Sequence, residues 1–318
     1  DARAEIVSPA EPRALPAAQG GRSITFRDVG FHFPTPVGRE PRWVLRNVSF
    51  TVPAGATLAV VGATASGKSS LIDLIPRLYD PQEGEILLDG VPLRALALDA
   101  LRGEIGYVQQ ETFLFSDTIA SNLAYGDATH ELVDHANDDE SASIQSREIG
   151  ERDAAGDAWA AEVAQLEETV HAFPHGYGTM LGERGINLSG GQKQRLGLAR
   201  ALARRPRVVL LDDALSAVDT HTEAEILRGL RDALAGRTAV IASHRISAVR
   251  DASWIIVLDG GRVVEQGTHD VIMAAGGRYT SLLQRQQLEE SIDGADGAGR
   301  EAVAVGGDAG TGRPDIPL

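Results

Sequence analysis

Apolar residues recur along this chain in two patterns that predict different kinds of strand. Alternating apolar positions at 23–33 and 44–52 are typical of an antiparallel sheet with one covered face. Short continuous apolar runs, typical of strands buried in a parallel sheet, occur at 57–62, 106–108, 207–211, 238–242 and 254–258. Helical spacing at 70–79 and between the later strands completes an alternation that predicts an α/β fold with a mainly parallel sheet.

Three segments lack these patterns. Residues 1–22 contain three prolines and a Gly-Gly pair, and they predict a linker from a preceding region. Residues 127–157 are acidic with few large apolar side chains, and they predict a solvated insertion; residues 289–318 predict a disordered tail. The remaining chain, 23–288, is expected to form the folded domain, and the Asp at position 1 favours a fragment of a longer protein.

Composition narrows the function. The formal net charge of −15 argues against nucleic acid as the main partner, because proteins that bind its backbone usually carry a basic face. The absence of cysteine excludes disulfides and thiolate metal sites. No apolar run approaches the ~18 residues of a membrane span, and the first 20 residues do not form a secretory signal. Only two lysines, Lys68 and Lys193, occur among the 30 basic residues.

One of these lysines lies in "GATASGKSS" (62–70), which follows a predicted strand, opens a predicted helix and matches G-x-x-x-x-G-K-[ST]. Backbone N–H groups of such a loop face phosphate, Lys68 would reach the β- and γ-phosphates, and Ser69 would ligate Mg²⁺. An ordinary Gly-rich turn is the alternative, which the flanking strand and helix disfavour. The predicted ligands of a nucleoside triphosphate are Gly62, Ala63, Thr64, Ala65, Ser66, Gly67, Lys68, Ser69 and Ser70.

A second motif, "LSGGQKQRLGLARAL" (188–202), precedes "RVVLLDDALSAVD" (207–219). Together with the phosphate loop, and in this order, these motifs resemble the nucleotide-binding domain of an ATP-binding cassette (ABC) transporter over residues 23–288. The resemblance implies a P-loop NTPase (RecA-like) core with an N-terminal antiparallel β-subdomain and an α-helical subdomain that carries the signature. It also implies ATP and Mg²⁺ as ligands.

The resemblance assigns roles to single residues. Phe33 lies where the family stacks an aromatic, usually Tyr, on adenine, although a half-buried strand Phe is an alternative. Gln110 matches the Gln that reaches Mg²⁺ and the attacking water. The choice of Gln110 over its neighbour Gln109 depends on register alone. Asp219 resembles the D-loop Asp, and His244 resembles the switch histidine that contacts the γ-phosphate. "DTIASNLAYG" (117–126) and "GERG" (182–185) resemble the exporter branch.

In the family, each ATP lies between the P-loop of one domain and the signature of a second domain. Ser189, Gly190, Gly191 and Gln192 are therefore expected to bind the ATP of a partner, because free N–H groups at a helix start favour an anion. The expected partners are a second nucleotide-binding domain and a transmembrane domain, at the cytoplasmic face of a membrane. A nucleotide-dependent clamp with incidental hydrolysis, and a soluble cassette ATPase that acts on nucleic acid, are the alternatives.

Two consecutive aspartates depart from the family pattern in one respect. Asp212 ends the apolar strand and would hold Mg²⁺ through water. The next position normally carries the Glu that polarises the attacking water, whereas this chain has Asp213, whose carboxylate reaches ~1.5 Å less far. Ala65 also replaces a near-constant Gly. These changes resemble the slow site of a heterodimeric exporter.

Overall fold

The computed structural model describes residues 6–36, 38–125, 154–182, 185, 188–245 and 249–288. Most of the predicted insertion (127–153), part of the "GERG" segment and the predicted tail (289–318) lie outside these residues, and so do residues 1–5 of the predicted linker.

Ten strands and nine α-helices are present in the described residues. The strands are β1 (Ile24–Phe31), β2 (Leu45–Val52), β3 (Thr57–Gly62), β4 (Glu83–Leu88), β5 (Val91–Pro92), β6 (Ile105–Val108), β7 (Val208–Asp212), β8 (Thr238–Ala242), β9 (Trp254–Asp259) and β10 (Arg262–Gly267). The helices are α1 (Lys68–Asp73), α2 (Leu98–Gly103), α3 (Ile119–Ala124), α4 (Ala154–Val163), α5 (Glu167–His171), α6 (Gly190–Ala203), α7 (Thr220–Ala233), α8 (His269–Ala274) and the helical residues 278–288, here α9.

The strands form two sheets, as the two apolar patterns predict. Four antiparallel strands have the order β2-β1-β4-β5. Six strands have the order β10-β9-β3-β8-β7-β6, in which only the edge strand β10 runs antiparallel to its neighbour. The predicted α/β fold with a mainly parallel sheet and an antiparallel N-terminal sheet is confirmed. The alternation of apolar residues did not reveal β4 or β10.

Both faces of the six-stranded sheet are covered, which explains its continuous apolar strands. Along β7, Val209 and Leu211 pack against the helices on one face, whereas Val208 and Leu210 pack toward the antiparallel sheet. Successive strand side chains point to opposite faces, so each strand contributes to two cores. The sheet is thus held rigidly from both sides.

Helix α1 is shorter than its sequence pattern predicts. Helical spacing extends over 70–79, but the helix ends at Asp73 and a turn follows. Pro76 lacks a backbone N–H donor, and Arg77 adopts a left-handed φ of 55°. The apolar residues of this turn, Leu74 and Ile75, are still buried, so the periodicity reflects burial beyond the helix itself.

A charged cluster joins the segment before β1 to the starts of β6 and β7. Arg22 donates to the Pro16 carbonyl, to Asp89 at 2.8 Å and to Glu104 at 2.9 Å. Arg207 also bonds to Glu104, and it donates to the Ala18 carbonyl at 2.9 Å. Although burial acts to raise them, the hydrogen bonds from Arg22 lower the pKa values of Asp89 and Glu104. These carboxylates therefore stabilise the fold in their ionised form.

The carboxyl ends of the parallel strands converge on one edge of the six-stranded sheet. Gly62, Val108, Asp212 and Ala242 end four strands that lie side by side in this sheet. In open parallel sheets this edge is where ligands bind. Among the described helices, none is long and apolar enough to cross a lipid bilayer.

Candidate functional site

The phosphate loop connects β3 to α1 through two left-handed residues. Gly67 has a φ of 106°, and a Cβ at this position would lie 2.8 Å from Leu45 Cδ2, so only glycine fits. Ala65 has a φ of 63°, the region that its Cβ disfavours by about 1–2 kcal/mol. The replacement of Gly by Ala in the sequence thus falls on a position where the backbone is left-handed.

Lys68 is the buried cation of this loop, with 8% of its surface exposed. Its Nζ donates to the carbonyls of Gly62 at 2.9 Å and Ala63 at 3.2 Å. Burial lowers the pKa of Lys68, while the charges of Asp213 and Asp212 act in the opposite direction. A compact ammonium held at the mouth of the loop is suited to bind phosphate oxygens.

Asp212 ends β7 with only 3% of its surface exposed. Burial raises its pKa, the Ser69 hydroxyl opposes this shift, and the neighbouring charge of Asp213 adds to it. Among the described residues, its Oδ1 atom is buried without a hydrogen-bond partner. A buried carboxylate oxygen beside a serine hydroxyl is the donor set that Mg²⁺ prefers, so these residues fit the metal.

Asp213 has a different environment although it is the next residue. Its Oδ1 accepts from the backbone N–H of His244 at 3.1 Å and lies 2.9 Å from Nδ1 of the same histidine. Its backbone is left-handed, with a φ of 44°, a conformation in which Asp is one of the better tolerated residues. The structure therefore joins the two residues that the sequence places 31 positions apart.

A cleft of about 940 Å³ contains most of the predicted site residues. Its lining includes Phe33, Gly62, Ala63, Thr64, Ala65, Gly67, Lys68, Ser69, Ser70, Gln110, Asp213 and His244. Phe33 is 44% exposed and contacts Phe31 and Tyr79 edge-on. Gln110 lines this cleft, whereas Gln109 lines a separate groove.

The cleft also contains residues that sequence reasoning did not single out. These residues include Arg42, Trp43, Tyr279, Leu282, Arg285 and Gln286. Residues 279, 282 and 286 have the spacing of one helix face. This spacing could have predicted a helix from the sequence, but it could not have predicted that the helix lines the cleft.

The signature forms the start of α6, outside this cleft. Ser189 Oγ accepts from the backbone N–H of Gln192 at 3.2 Å, and the Gln192 side chain accepts from the backbone N–H of Ser189 at 2.9 Å. This capping box defines the first turn. A Cβ on Gly191 would lie 2.8 Å from the Ala217 carbonyl, so this glycine permits close packing against the segment after the aspartates.

Gln194 and Asp219 fix the same segment. The Gln194 side chain donates to Ser216 Oγ and accepts from the backbone N–H of Ala217, both at 2.9 Å. Asp219 caps α7 by accepting from Thr222 N at 3.0 Å, and this hydrogen bond lowers its pKa. Asp219 thus has a structural function as a helix cap in this chain. It does not belong to the cleft lining, and its contact with nucleotide stays a prediction.

The motifs and their geometry agree with one protein family. The family model described as "ABC transporter" matches residues 45–216, which include the P-loop, the signature and both aspartates. The chain belongs to the ABC transporter family. It carries the ATP-binding domain, which is the ATPase unit of these proteins.

Curated relatives place this ABC domain among transporters. A probable multidrug resistance ABC transporter ATP-binding/permease protein of Bacillus subtilis (strain 168) is 40% identical over 296 residues, covering 92% of this chain and 45% of the relative. An ATP-dependent lipid A-core flippase of Alkalilimnicola ehrlichii is 40% identical over 283 residues, covering 88% and 44%. The ABC domain spans about half the length of the curated relatives it matches.

A solved structure extends the likeness to the fold. The structure of a bacterial Atm1-family ABC exporter with ATP bound matches with a TM-score of 0.76 and 35% identity, covering 90% of this chain and 45% of the other. The P-loop NTPase fold predicted from the motifs is therefore confirmed for this ABC domain.

Proposed function

We propose that this chain binds and hydrolyses ATP as one half of a head-to-tail pair of nucleotide-binding domains, and thereby powers export across a membrane. The separation of the P-loop from the signature is the observation that supports the pair. Lys68 and Ser69 line the cleft, but no residue of the helix start at Ser189 does so. A helix start with an exposed Ser189 and Gly190 is suited to a phosphate carried by a partner.

Each group at the strand edge has a defined task in this proposal. Lys68 and the loop N–H groups hold the β- and γ-phosphates. Ser69, Asp212 and Gln110 would hold Mg²⁺, which neutralises phosphate charge when bound. His244 would contact the γ-phosphate, and the Asp213 carboxylate would orient the attacking water and accept its proton. Phe33 would stack on the base.

The shortened acid at 213 supports a slow site. The carboxylate that should face the water is already held by two contacts with His244. Asp reaches about 1.5 Å less far than Glu, and a misplacement of that size costs on the order of a hundredfold in rate. We therefore propose that the chain's own site turns over slowly, while its signature completes the site of a Glu-bearing partner.

A surface groove of about 180 Å³ supports a membrane-domain partner. It is lined by residues on both sides of the Gln loop, including Gln109, Glu111 and Phe113, together with Arg200 of the signature helix. Phe113 is 51% exposed and contacts Phe115, whose ring contacts the half-exposed Tyr125 at a tilt of 33°. Because Gln110 faces the nucleotide cleft, a domain docked in this groove would sense the nucleotide. In this proposal the domain lies at the cytoplasmic face of a membrane.

Sedimentation with and without Mg-ATP tests the pairing, with the chain alone and with a Glu-bearing partner domain. Lys68→Ala should abolish both nucleotide binding and pairing. Gly190→Asp should keep nucleotide binding and lose pairing, because its negative charge faces the partner's phosphate. Gly190→Ala places the same Cβ 3.3 Å from Ala217 Cβ without the charge, and it is the steric control. If Gly190→Asp pairs normally, the head-to-tail arrangement is wrong. ATP-dependent pairing without any production of phosphate would instead identify a nucleotide-dependent clamp.

A further inference from the structure

The helical residues 278–288 (α9) form a wall of the nucleotide cleft. Tyr279, Leu282, Arg285 and Gln286 line the cleft from this helix. Their spacing of three and four residues places them on one helix face. Gln284 is exposed and does not belong to that lining. The helix therefore presents one face to the nucleotide and another to solvent.

The first turn of α9 is anchored firmly. Tyr279 is fully buried, and its hydroxyl lies 2.8 Å from Nδ1 of His269. The Glu265 carboxylate accepts from the backbone N–H groups of Arg278 and Tyr279, as an acid at a helix start should. Leu282 and Leu283 pack against the small core formed by β3, β9 and α8. This anchorage fixes the direction in which residues 285 and 286 project.

The anchorage also ties α9 to a neighbouring turn. Lys68, Asp213 and His244, the proposed phosphate ligands, line the same cleft as Phe33 and Trp43. Arg278 forms an ion pair of 3.0 Å with Asp259, which begins the turn to Gly261. The Gly261 carbonyl accepts from Arg46 N at 2.9 Å, close to Trp43 in the chain. Helix α9 is thus tied, through the turn between β9 and β10, to the chain segment that carries Trp43.

We propose that Arg285 and Gln286 contact the ribose and base of the bound nucleotide. A guanidinium can stack on a base or donate to ribose oxygens, and an amide can both donate to and accept from a base edge. Arg42 lines the same cleft, so its wall carries two guanidinium groups in a chain whose net charge is −15. The inference rests on the nucleotide site proposed above, and it adds α9 to the elements that contact the nucleotide.

Calorimetry with two probes, Mg-ATP and magnesium tripolyphosphate, tests this contact on the purified chain. Arg285→Ala and Gln286→Ala should each weaken Mg-ATP about three- to tenfold, the range for partly exposed hydrogen bonds. Binding of tripolyphosphate, which has neither ribose nor base, should be unchanged. Arg285→Lys should restore only part of the loss, because lysine keeps the charge but not the planar fork.

Two matched controls separate contact from charge and folding. Gln284→Ala alters the solvent face of the same helix, and Arg228→Ala removes one exposed cation from α7. Both should bind Mg-ATP as the native chain does. Equal affinity in Arg285→Ala and Arg228→Ala, or equal weakening of both probes by Arg285→Ala, would overturn the α9 contact. A native chain that does not bind Mg-ATP would instead refute the nucleotide site itself.

Discussion

The P-loop cleft and the signature helix both serve to bind phosphate, yet they are built in opposite ways. The cleft buries Lys68 and Asp212, and it holds two left-handed residues in its loop. The start of α6 is exposed at Ser189 and Gly190, and its capping box satisfies the backbone N–H groups of Ser189 and Gln192. A site with unpartnered buried polar atoms gains from any ligand that satisfies them, whereas the capped helix start offers a phosphate only its remaining N–H groups and its dipole.

This difference indicates a division of labour. The cleft should supply most of the nucleotide affinity of a single chain, because burial strengthens each charged contact there. The signature should contribute only when a partner brings its phosphate to the exposed helix start. Substitutions in the two regions should therefore separate binding by one chain from the activity of a pair.

The largest effect should come from Lys68→Ala, which removes the cation that faces the β- and γ-phosphates. Affinity for Mg-ATP should fall by at least about a hundredfold, since several charge-assisted hydrogen bonds are lost. Calorimetry on the purified chain measures this. Lys193→Ala, the matched change of the other lysine in the signature helix, should leave binding by the single chain intact. Unchanged affinity in Lys68→Ala would contradict the P-loop assignment.

Asp213→Glu should raise ATP turnover by as much as about 10²-fold, the scale of one well-placed general base. The longer side chain restores the reach to the attacking water, and Asp213→Asn should change the slow native rate only slightly. Steady-state phosphate release under saturating Mg-ATP, with dimerisation permitted, measures this. Should the native chain be as fast as the Glu variant, with Asn silencing both, the slow-site proposal is wrong.

Asp212→Asn should reduce the factor by which Mg²⁺ raises the affinity for ATP. We expect a reduction of about 10–100-fold, because a metal-holding carboxylate is lost. It should also stabilise the nucleotide-free chain at neutral pH. Burial raises the pKa of Asp212, so the folded state binds its proton more readily than the unfolded state, and the ionised form costs stability. The advantage of Asn should shrink as the pH falls through that pKa.

Chemical denaturation at neutral and acidic pH checks the sign for Asp212→Asn. The acid network around Arg22 behaves in the opposite way, since the lowered pKa values of Asp89 and Glu104 mean that their contribution disappears as the pH falls. If Asp212→Asn is less stable than the native chain at neutral pH, then the ionised form of Asp212 does not cost stability and the prediction is wrong.

Ser189→Ala tests the signature side of the comparison. Loss of the helix cap should lower the free energy of unfolding by about 1 kcal/mol, and Ser189→Asn should retain most of it. Mg-ATP affinity of the single chain should not change, because Ser189 lies outside the cleft lining. Weakened binding by a correctly folded single chain would show that the two regions are not independent.

Ala65→Gly should have the smallest effect, a stabilisation of about 1 kcal/mol or less. The substitution removes a Cβ from a residue with a φ of 63°, but the extra freedom of glycine in the unfolded chain offsets part of the gain. Thermal denaturation of the nucleotide-free chain measures the difference. Ala63→Gly, at a loop position without a left-handed φ, should destabilise and serves as the control.

Much of the fold could be predicted because its signals are local. Strand β3 begins and ends where the apolar run at 57–62 does, and Asp212 lies at a strand end as expected. Strands β4 and β10 were not predicted, since "EGEILL" is apolar only in its second half and the edge strand β10 alternates weakly. The helix over 70–79 was overestimated because the burial of apolar residues continues past the helix end at Asp73, through Leu74 and Ile75.

The sequence by itself determined the order of the motifs, the chemistry of each side chain and the identity of the family. Glycines, strand-forming runs and charged residues act through short-range sterics and burial, so their order in the chain is informative. Only the tertiary structure decided that Asp213 is bound to His244, that Gln110 rather than Gln109 faces the nucleotide cleft, and that α9 lines this cleft. These contacts join residues far apart in the chain, and their geometry depends on how the two sheets and the helices pack.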